Sequence, residues 1–324
     1  MQQRITYICE PVQSELDQVT EMLREMSIVP SFERQGDMLR HLLTFRGKQL
    51  RPTLTLLAAK FHSHDPKLSI LMATAVELLH IATLVHDDTV DKADFRRGRP
   101  TISSLWGRDV AVLLGDYVFA KSAAYVCDTN NVRIMKRFAE TIMALSTGEL
   151  REYLTSFDVA QTREQYESRI SEKTASLFET AAESGAILSE ASEAEIAALR
   201  TYGWNLGMAY QVADDILDFE GNEENAGKPL RNDLRHGVMT LPAILLAQEH
   251  PNERTIQAVF DHRNDVDKLR AAFERIQESP AIEQAYKVAL GYCERARDSL
   301  AIFPDVPAKS SLLHLCDYSI RRDA

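Results

Sequence analysis

Residues Leu71–Asp91 read LMATAVELLHIATLVHDDTVD, a stretch with no Gly or Pro and with apolar side chains on almost every side of a helical wheel. A helix so uniformly apolar is expected to be buried on most of its surface and central to the fold. It closes on His86-Asp87-Asp88-Thr89-Val90-Asp91, which puts carboxylates at i, i+1 and i+4. Asp87 and Asp91 then share a helix face, with Asp88 about 100° round from Asp87. Asp214-Asp215-Ile216-Leu217-Asp218 repeats that spacing 127 residues later.

A single acidic triplet is equally well a solvated helix face. The duplication argues otherwise, because Ile81, Leu84 and Val85 precede the first triplet while Val212, Ile216 and Leu217 surround the second. Crowded carboxylates in such surroundings are costly unless cations sit between them. Two acidic helices facing across a cavity would supply hard oxygen ligands for Mg²⁺, which takes one or two carboxylates per ion together with phosphate oxygens and water. Basic residues are placed to hold a second anion. Lys48 and Arg51 stand at a helix start before Pro52, His80 lies two turns before Asp87 on nearly the same face, and Arg96-Arg97 follow the first acidic helix.

Outward from these motifs the chain reads as helix throughout. Gly and Pro together number 24 of 324 residues, so turns are few. Val12, Leu16, Val19, Leu23 and Met26 draw one apolar stripe that Pro30 ends. Helices are expected at 38–45, at 52–61 behind Pro52, at 71–91, and then near 109–127, 131–153, 163–188, 193–219 and 238–249, with further helix in 253–302 and 309–322. The polar stretch Glu220–Asn232 is long enough to serve as a functional flap. No segment alternates as a strand does, and the expectation is one all-α domain over residues 1–324.

A formal charge of −11 and a pI near 5.4 argue against a general nucleic-acid binder. Cys9, Cys127, Cys293 and Cys316 are scattered, which suggests neither a disulfide framework nor a zinc site and fits a reducing cytoplasm. The N-terminal residues do not read as a secretory signal. The most apolar segments, such as 111–120 and 240–247, fall short of the roughly 20 residues of a membrane span and are interrupted or flanked by charge, so no transmembrane segment is expected.

These residues resemble the trans-isoprenyl diphosphate synthases, and the resemblance runs through nearly the whole chain. It takes in Gly47-Lys48 with Leu50-Arg51-Pro52, Glu77-Leu78-Leu79-His80 leading to the first aspartate motif, and Arg96-Arg97-Gly98. It continues through Gly115-Asp116-Tyr117, Gly148-Glu149, Lys173-Thr174-Ala175, Tyr210-Gln211 before the second motif, Gly227-Lys228-Pro229, Asn232-Asp233-Leu234 and Thr240-Leu241-Pro242, and ends with Asp317-Tyr318 and Arg321-Arg322. The resemblance implies an all-helical isoprenoid synthase bundle that elongates an allylic diphosphate, such as farnesyl or geranylgeranyl diphosphate, by head-to-tail condensation with isopentenyl diphosphate. It implies Asp87, Asp91 and Asp214 as main magnesium ligands, Asp88 and Asp218 as holders of metal-bound water, and a cluster of about three Mg²⁺ ions with the bound diphosphate. Arg96, Lys173 and Lys228 would grip the allylic diphosphate; Lys48, Arg51, His80 and Arg97 would hold that of isopentenyl diphosphate; Thr174 and Gln211 would line the reacting centre. A homodimer is implied by resemblance alone.

Two departures alter the diphosphate grip: Arg46-Gly47-Lys48-Gln49 stands where the family usually has Gly-Gly-Lys-Arg, and Val238-Met239 replaces the Lys often found before Thr-Leu-Pro. Short-chain enzymes of the family place an aromatic ring four or five residues before the first aspartate. Here those positions are Thr83 and Ala82, too small to stop a growing tail, so a long-chain product is expected. The alternatives are a short-chain synthase and the catalytic subunit of a two-component enzyme that needs a small helper chain.

Overall fold

The structure, a computed structural model, describes residues 2–44, 47–220, 232–263 and 265–320. Of the expected flap, residues 221–231, Lys228 among them, lie outside these residues, while Glu220 and Asn232 belong to helices. Among the described residues the chain is helical apart from one two-residue hairpin. In order, the elements are α1 (Gln2–Cys9), a 3₁₀ turn (Glu10–Val12), α2 (Gln13–Met26), α3 (Glu33–Leu43), α4 (Leu50–Ala59) and α5 (Pro66–Val90). The hairpin β1 (Phe95–Arg96) and β2 (Arg99–Pro100) follows, then α6 (Ile102–Trp106), α7 (Arg108–Asp128), α8 (Val132–Leu154) and α9 (Arg163–Ile170). A π turn over Ser171–Ala175 leads into α10 (Ser176–Leu188) and α11 (Glu193–Glu220). The rest comprises α12 (Asn232–Arg235), α13 (Leu241–Glu249), α14 (Thr255–Asp261), α15 (Val266–Gln277), α16 (Ala281–Ser299) and α17 (Pro307–Ile320).

Local chemistry accounts for most of these limits. The stripe Leu16, Val19, Leu23 and Met26 is the buried face of α2. α5 starts five residues before the apolar run does, because the Asp65 carboxylate caps it by accepting the Lys67 N–H at 3.0 Å and Pro66 suits a first turn. A reciprocal capping box of Thr162 and Gln165 opens α9, and Asp265 caps α15 through the N–H groups of Asp267 and Lys268.

The chain divides into two compact units. The first comprises residues 1–140, 177–203 and 300–315. Its centre is α5, whose Met72, Ala73, Ala75, Val76, Leu78 and Leu79 are buried and which packs against α2, α4 and α7. The second comprises residues 141–176, 204–299 and 316–324; in it α13 packs on α9 and α16, and Phe219 stacks on Phe273 with ring centroids 4.8 Å apart.

α5 and α7 are each long and apolar enough to cross a membrane. Setting segments aside because a charge interrupts or flanks them hides this, since a window of 18 residues tolerates a charge or two. α5, with 67% of its apolar window buried and Glu77 among its buried residues, is a core helix; α7 is only 33% buried over its window and exposes Val112, Leu113 and Tyr117.

Candidate active site

In the first unit, the carboxylates of the first motif gather at the last turn of α5. Asp88 is buried, Asp87 half-buried and Asp91 exposed at the C-cap, where its N–H donates to the Asp87 carbonyl at 2.8 Å. The negative end of a helix dipole is unfavourable for anions, so three acids there favour a cation. Asp88 is already engaged: Arg96 Nε donates to its Oδ1 at 2.7 Å. The hairpin makes that contact available. Its loop is the pair Arg97-Gly98, with φ of 51° and 74°, between the registered pairs Arg96↔Arg99 and Phe95↔Pro100. Positive φ at both central residues is the two-residue turn that matches strand twist, and it sets Arg96 beside α5 while leaving Arg97 exposed.

The expected isopentenyl diphosphate grip also lies in this unit. Arg51, in the first turn of α4, stacks on the buried Phe178 ring at 4.5 Å from its centroid. Burial and then the charges of Arg51, Arg97 and Arg96 pull the His80 imidazole well below its ordinary value, so it is neutral. Glu77, one turn before His80, is buried and its carboxyl is pushed up by that burial, against the pull of Arg51 and Arg97. Gln49 has a left-handed backbone (φ 48°) and donates through Nε2 to Thr20 Oγ1 at 3.3 Å. Its side chain is therefore committed to α2.

Thr83 and Ala82 differ in surroundings. Ala82 is 1% exposed, whereas Thr83 is half-buried with its hydroxyl donating to the His80 carbonyl at 2.8 Å. Only Thr83 presents surface.

In the second unit the π turn carries Lys173 and Thr174. A π turn inserts one residue into a helix, a distortion common at functional sites. Trp204 Nε1 donates to Ser171 Oγ at 2.8 Å at its start. Gly148 of α8 lets the turn approach: a Cβ there would lie 2.6 Å from the Lys173 nitrogen. Lys173 Nζ contacts Glu149 at 2.7 Å and Glu152 at 2.6 Å, both on α8. The Thr174 hydroxyl donates to Gln211 Oε1 at 2.7 Å, Gln211 Nε2 donates to Asp215 Oδ1 at 2.8 Å, and the Tyr166 hydroxyl donates to Asp215 Oδ2 at 2.6 Å. Nothing in the spacing of the sequence points to Tyr166 or Glu152, whose partners are 49 and 21 residues away.

The second motif spans the last two turns of α11, again at a negative helix end, with Asp214 exposed, Asp218 half-buried and Asp215 buried. Burial, aided by Asp214, pushes the Asp215 carboxyl up to about 7 although its hydrogen bonds to Tyr166 and Gln211 and the charge of Arg169 oppose the rise. Asp233 of α12 is pushed well above its ordinary value by burial and then by Asp218, Asp215, Glu152 and Asp214. Among the described residues no three His, Cys, Asp or Glu side chains converge on one point as a complete metal cage. The donor set of each motif is all carboxylate, concentrated at a helix C-terminus. It fits a hard divalent ion that takes its remaining ligands from phosphate and water.

Residues 33–276 match the family model described as polyprenyl synthetase. The chain is 36% identical over 299 residues to heptaprenyl diphosphate synthase component 2 of Geobacillus stearothermophilus, covering 92% of this chain and 93% of the relative. It is 35% identical to nonaprenyl diphosphate synthase of Mycobacterium tuberculosis, covering 93% and 91%. A solved polyprenyl synthase from Caulobacter crescentus, complexed with calcium and isoprenyl diphosphate, superposes with a TM-score of 0.93 at 31% identity, covering 99% of this chain and 98% of that one.

Proposed function

The chain belongs to the polyprenyl synthetase family, and from that premise we propose that it elongates an allylic diphosphate to a long polyprenyl diphosphate by repeated condensation with isopentenyl diphosphate. The observation that carries this reading is the pair of aspartate motifs, each ending a helix where a carboxylate cluster needs a cation.

Asp87, Asp91 and Asp214 would hold magnesium ions, with Asp88 and Asp218 behind metal-bound water. When bound, such ions neutralise the diphosphate that leaves the allylic carbon. Arg96, Lys173 and Lys228 bind that same diphosphate. Lys173 exchanges contacts with Glu149 and Glu152 for phosphate oxygens, and Arg96 is held ready by Asp88. Lys48, Arg51 and Arg97 bind the diphosphate of isopentenyl diphosphate, joined by a neutral His80 that offers a hydrogen bond without adding a fourth charge. Thr174 and Gln211 face the carbon that becomes positive. The isopentenyl double bond attacks that carbon, and the released diphosphate takes the proton whose loss restores the alkene.

The product reading rests on the small residue at Thr83 and on the relatives' names, heptaprenyl and nonaprenyl diphosphate synthase. Each added isoprene buries about five carbons, at roughly 0.8 kcal/mol per methylene-sized group, so an unobstructed tail path favours further extension. The exposed apolar residues Val112, Leu113 and Tyr117 of α7 support a homodimer, and free thiols at Cys9, Cys127, Cys293 and Cys316 support a cytoplasmic setting. The word "component" in the name of the Geobacillus relative keeps a helper subunit as the alternative.

The test is the purified protein with Mg²⁺, farnesyl diphosphate and radiolabelled isopentenyl diphosphate, its products dephosphorylated and resolved by chromatography. Chains longer than four isoprene units made by this protein alone are expected. Products that stop at three or four units would overturn the long-chain reading, and no condensation until a second chain is added would establish the helper requirement.

A further inference from the structure

Tyr166 is fully buried, and its ring is fixed by Arg169, whose guanidinium lies 5.6 Å from the ring centroid and is itself tied to the Met239 carbonyl at 2.7 Å and to Gln161 Oε1 at 2.9 Å. A Phe would fill the same space. What the hydroxyl adds is one donated hydrogen bond, 2.6 Å to Asp215 Oδ2, and burying a phenol is justified only by such a bond.

That bond decides the direction of a chain. The two oxygens of Asp215 are divided between two donors: Oδ2 takes the Tyr166 hydroxyl, which leaves Oδ1 to accept the NH₂ of Gln211 at 2.8 Å, four residues back on the same helix. An amide has one oxygen and one NH₂. Turning the NH₂ to Asp215 points Oε1 at Thr174, which must then donate its proton to it. The lone pairs of the Thr174 hydroxyl are left facing away from Gln211, the negative end of that dipole being available to a carbon gaining positive charge. Were the Gln211 amide reversed, Thr174 would accept from the NH₂ and present its proton instead, the wrong sign for that carbon.

We propose that Tyr166 is a positioning residue for prenyl transfer, acting through Asp215 and Gln211 to orient the hydroxyl of Thr174; this rests on the reading above that places Thr174 at the reacting centre. Tyr166 touches no substrate in this scheme.

A double-mutant cycle with steady-state kinetics and melting tests it. Tyr166→Phe should lower kcat roughly tenfold, as expected for loss of one buried hydrogen bond, with both Michaelis constants and the melting temperature little changed. Thr174→Val should lower kcat by at least as much. The combination should be no worse than Thr174→Val alone, because the effect of Tyr166 travels through that hydroxyl. A merely structural role would multiply the two losses, and that outcome, or wild-type turnover in Tyr166→Phe beside an impaired Thr174→Val, overturns the proposal while leaving the functional reading intact. Wild-type turnover in Thr174→Val overturns the placement of Thr174 and this proposal with it. Should Tyr166→Phe fail to fold, Asp215→Asn takes its place in the cycle, with the same non-additivity expected and multiplied losses refuting it.

Discussion

Asp215→Asn has a second consequence, readable without substrate, that follows from where the carboxyl sits. Its group titrates at about 7 in the folded chain against an ordinary 3.8. A raised value means the folded chain binds this proton more tightly than the unfolded chain does. Between about pH 4 and 7 the unfolded chain loses it and the folded chain keeps it, so stability falls through that window; below it both are protonated, and above it the loss is complete. A difference of about three pH units corresponds to about 4 kcal/mol. With an unfolding entropy near 2.1 cal/mol/K per residue, a cooperative transition of this chain would shift by roughly 6 °C. Asp233 is raised in the same direction, so the wild-type slope contains both residues and the Asn variant removes only the share of Asp215. The assay is far-UV circular dichroism melting in EDTA at half-unit intervals from pH 4 to 8. The melting temperature of the variant minus that of the wild type should rise by roughly 6 °C between pH 4 and pH 7.5, on top of any constant offset from altered hydrogen bonding. A difference that stays flat across that range would refute the assignment of a buried, proton-retaining Asp215.

Asp87→Ala and Asp214→Ala should each reduce turnover by orders of magnitude while melting at or above the wild-type temperature, since clustered acids repel one another in the free protein; near-normal turnover in either would remove its role as a metal ligand. Arg97→Gln should raise the Michaelis constant for isopentenyl diphosphate roughly tenfold and leave that of the allylic primer nearly alone. Arg51→Gln should do the same but also lower the melting temperature, because it strips a partner from buried Glu77 and from the Phe178 ring; a primer constant that moved instead would show the two diphosphate sites to be exchanged. Thr83→Phe should shorten the main product with condensation preserved, and an unchanged product distribution would refute the tail path. Ala82→Phe should mainly destabilise, by about 1–3 kcal/mol of overpacking at a core position, as checked by melting.

The long helices and both aspartate motifs were legible because their signals are local. A run without Gly or Pro, apolar spacing and an i, i+4 pair of acids need no knowledge of the rest of the chain, and 71–91 falls almost entirely within α5. Helix starts were less legible, since Asp65-Pro66 caps α5 from outside the apolar pattern. The breaks between α14, α15 and α16 rest on Asp265 and Pro280 within a stretch whose composition is helical throughout. The π turn left no trace in the spacing of apolar residues, because what defines it is a backbone hydrogen-bond register. Exposure within α5 was illegible for a different reason: when nearly every face is apolar, periodicity cannot separate Ala82 from Thr83. Tyr166 and Glu152 were missed because each works through a partner far along the chain.

For anyone aligning or engineering this chain, the π turn at Ser171–Ala175 acts as a one-residue insertion that is invisible as a gap. Deleting a single residue there would give an uninterrupted α-helix of better intrinsic geometry, and a stability-driven library would be drawn toward it. The deletion would also turn the residues on its two sides by about 100° relative to one another, so that Lys173 could no longer meet Glu149 and Glu152 while Thr174 meets Gln211. An indel scan across 163–188 should therefore show a narrow trough of tolerated folding and lost turnover centred on this turn. Ancestral or consensus sequences built for this family need their length through this segment held fixed.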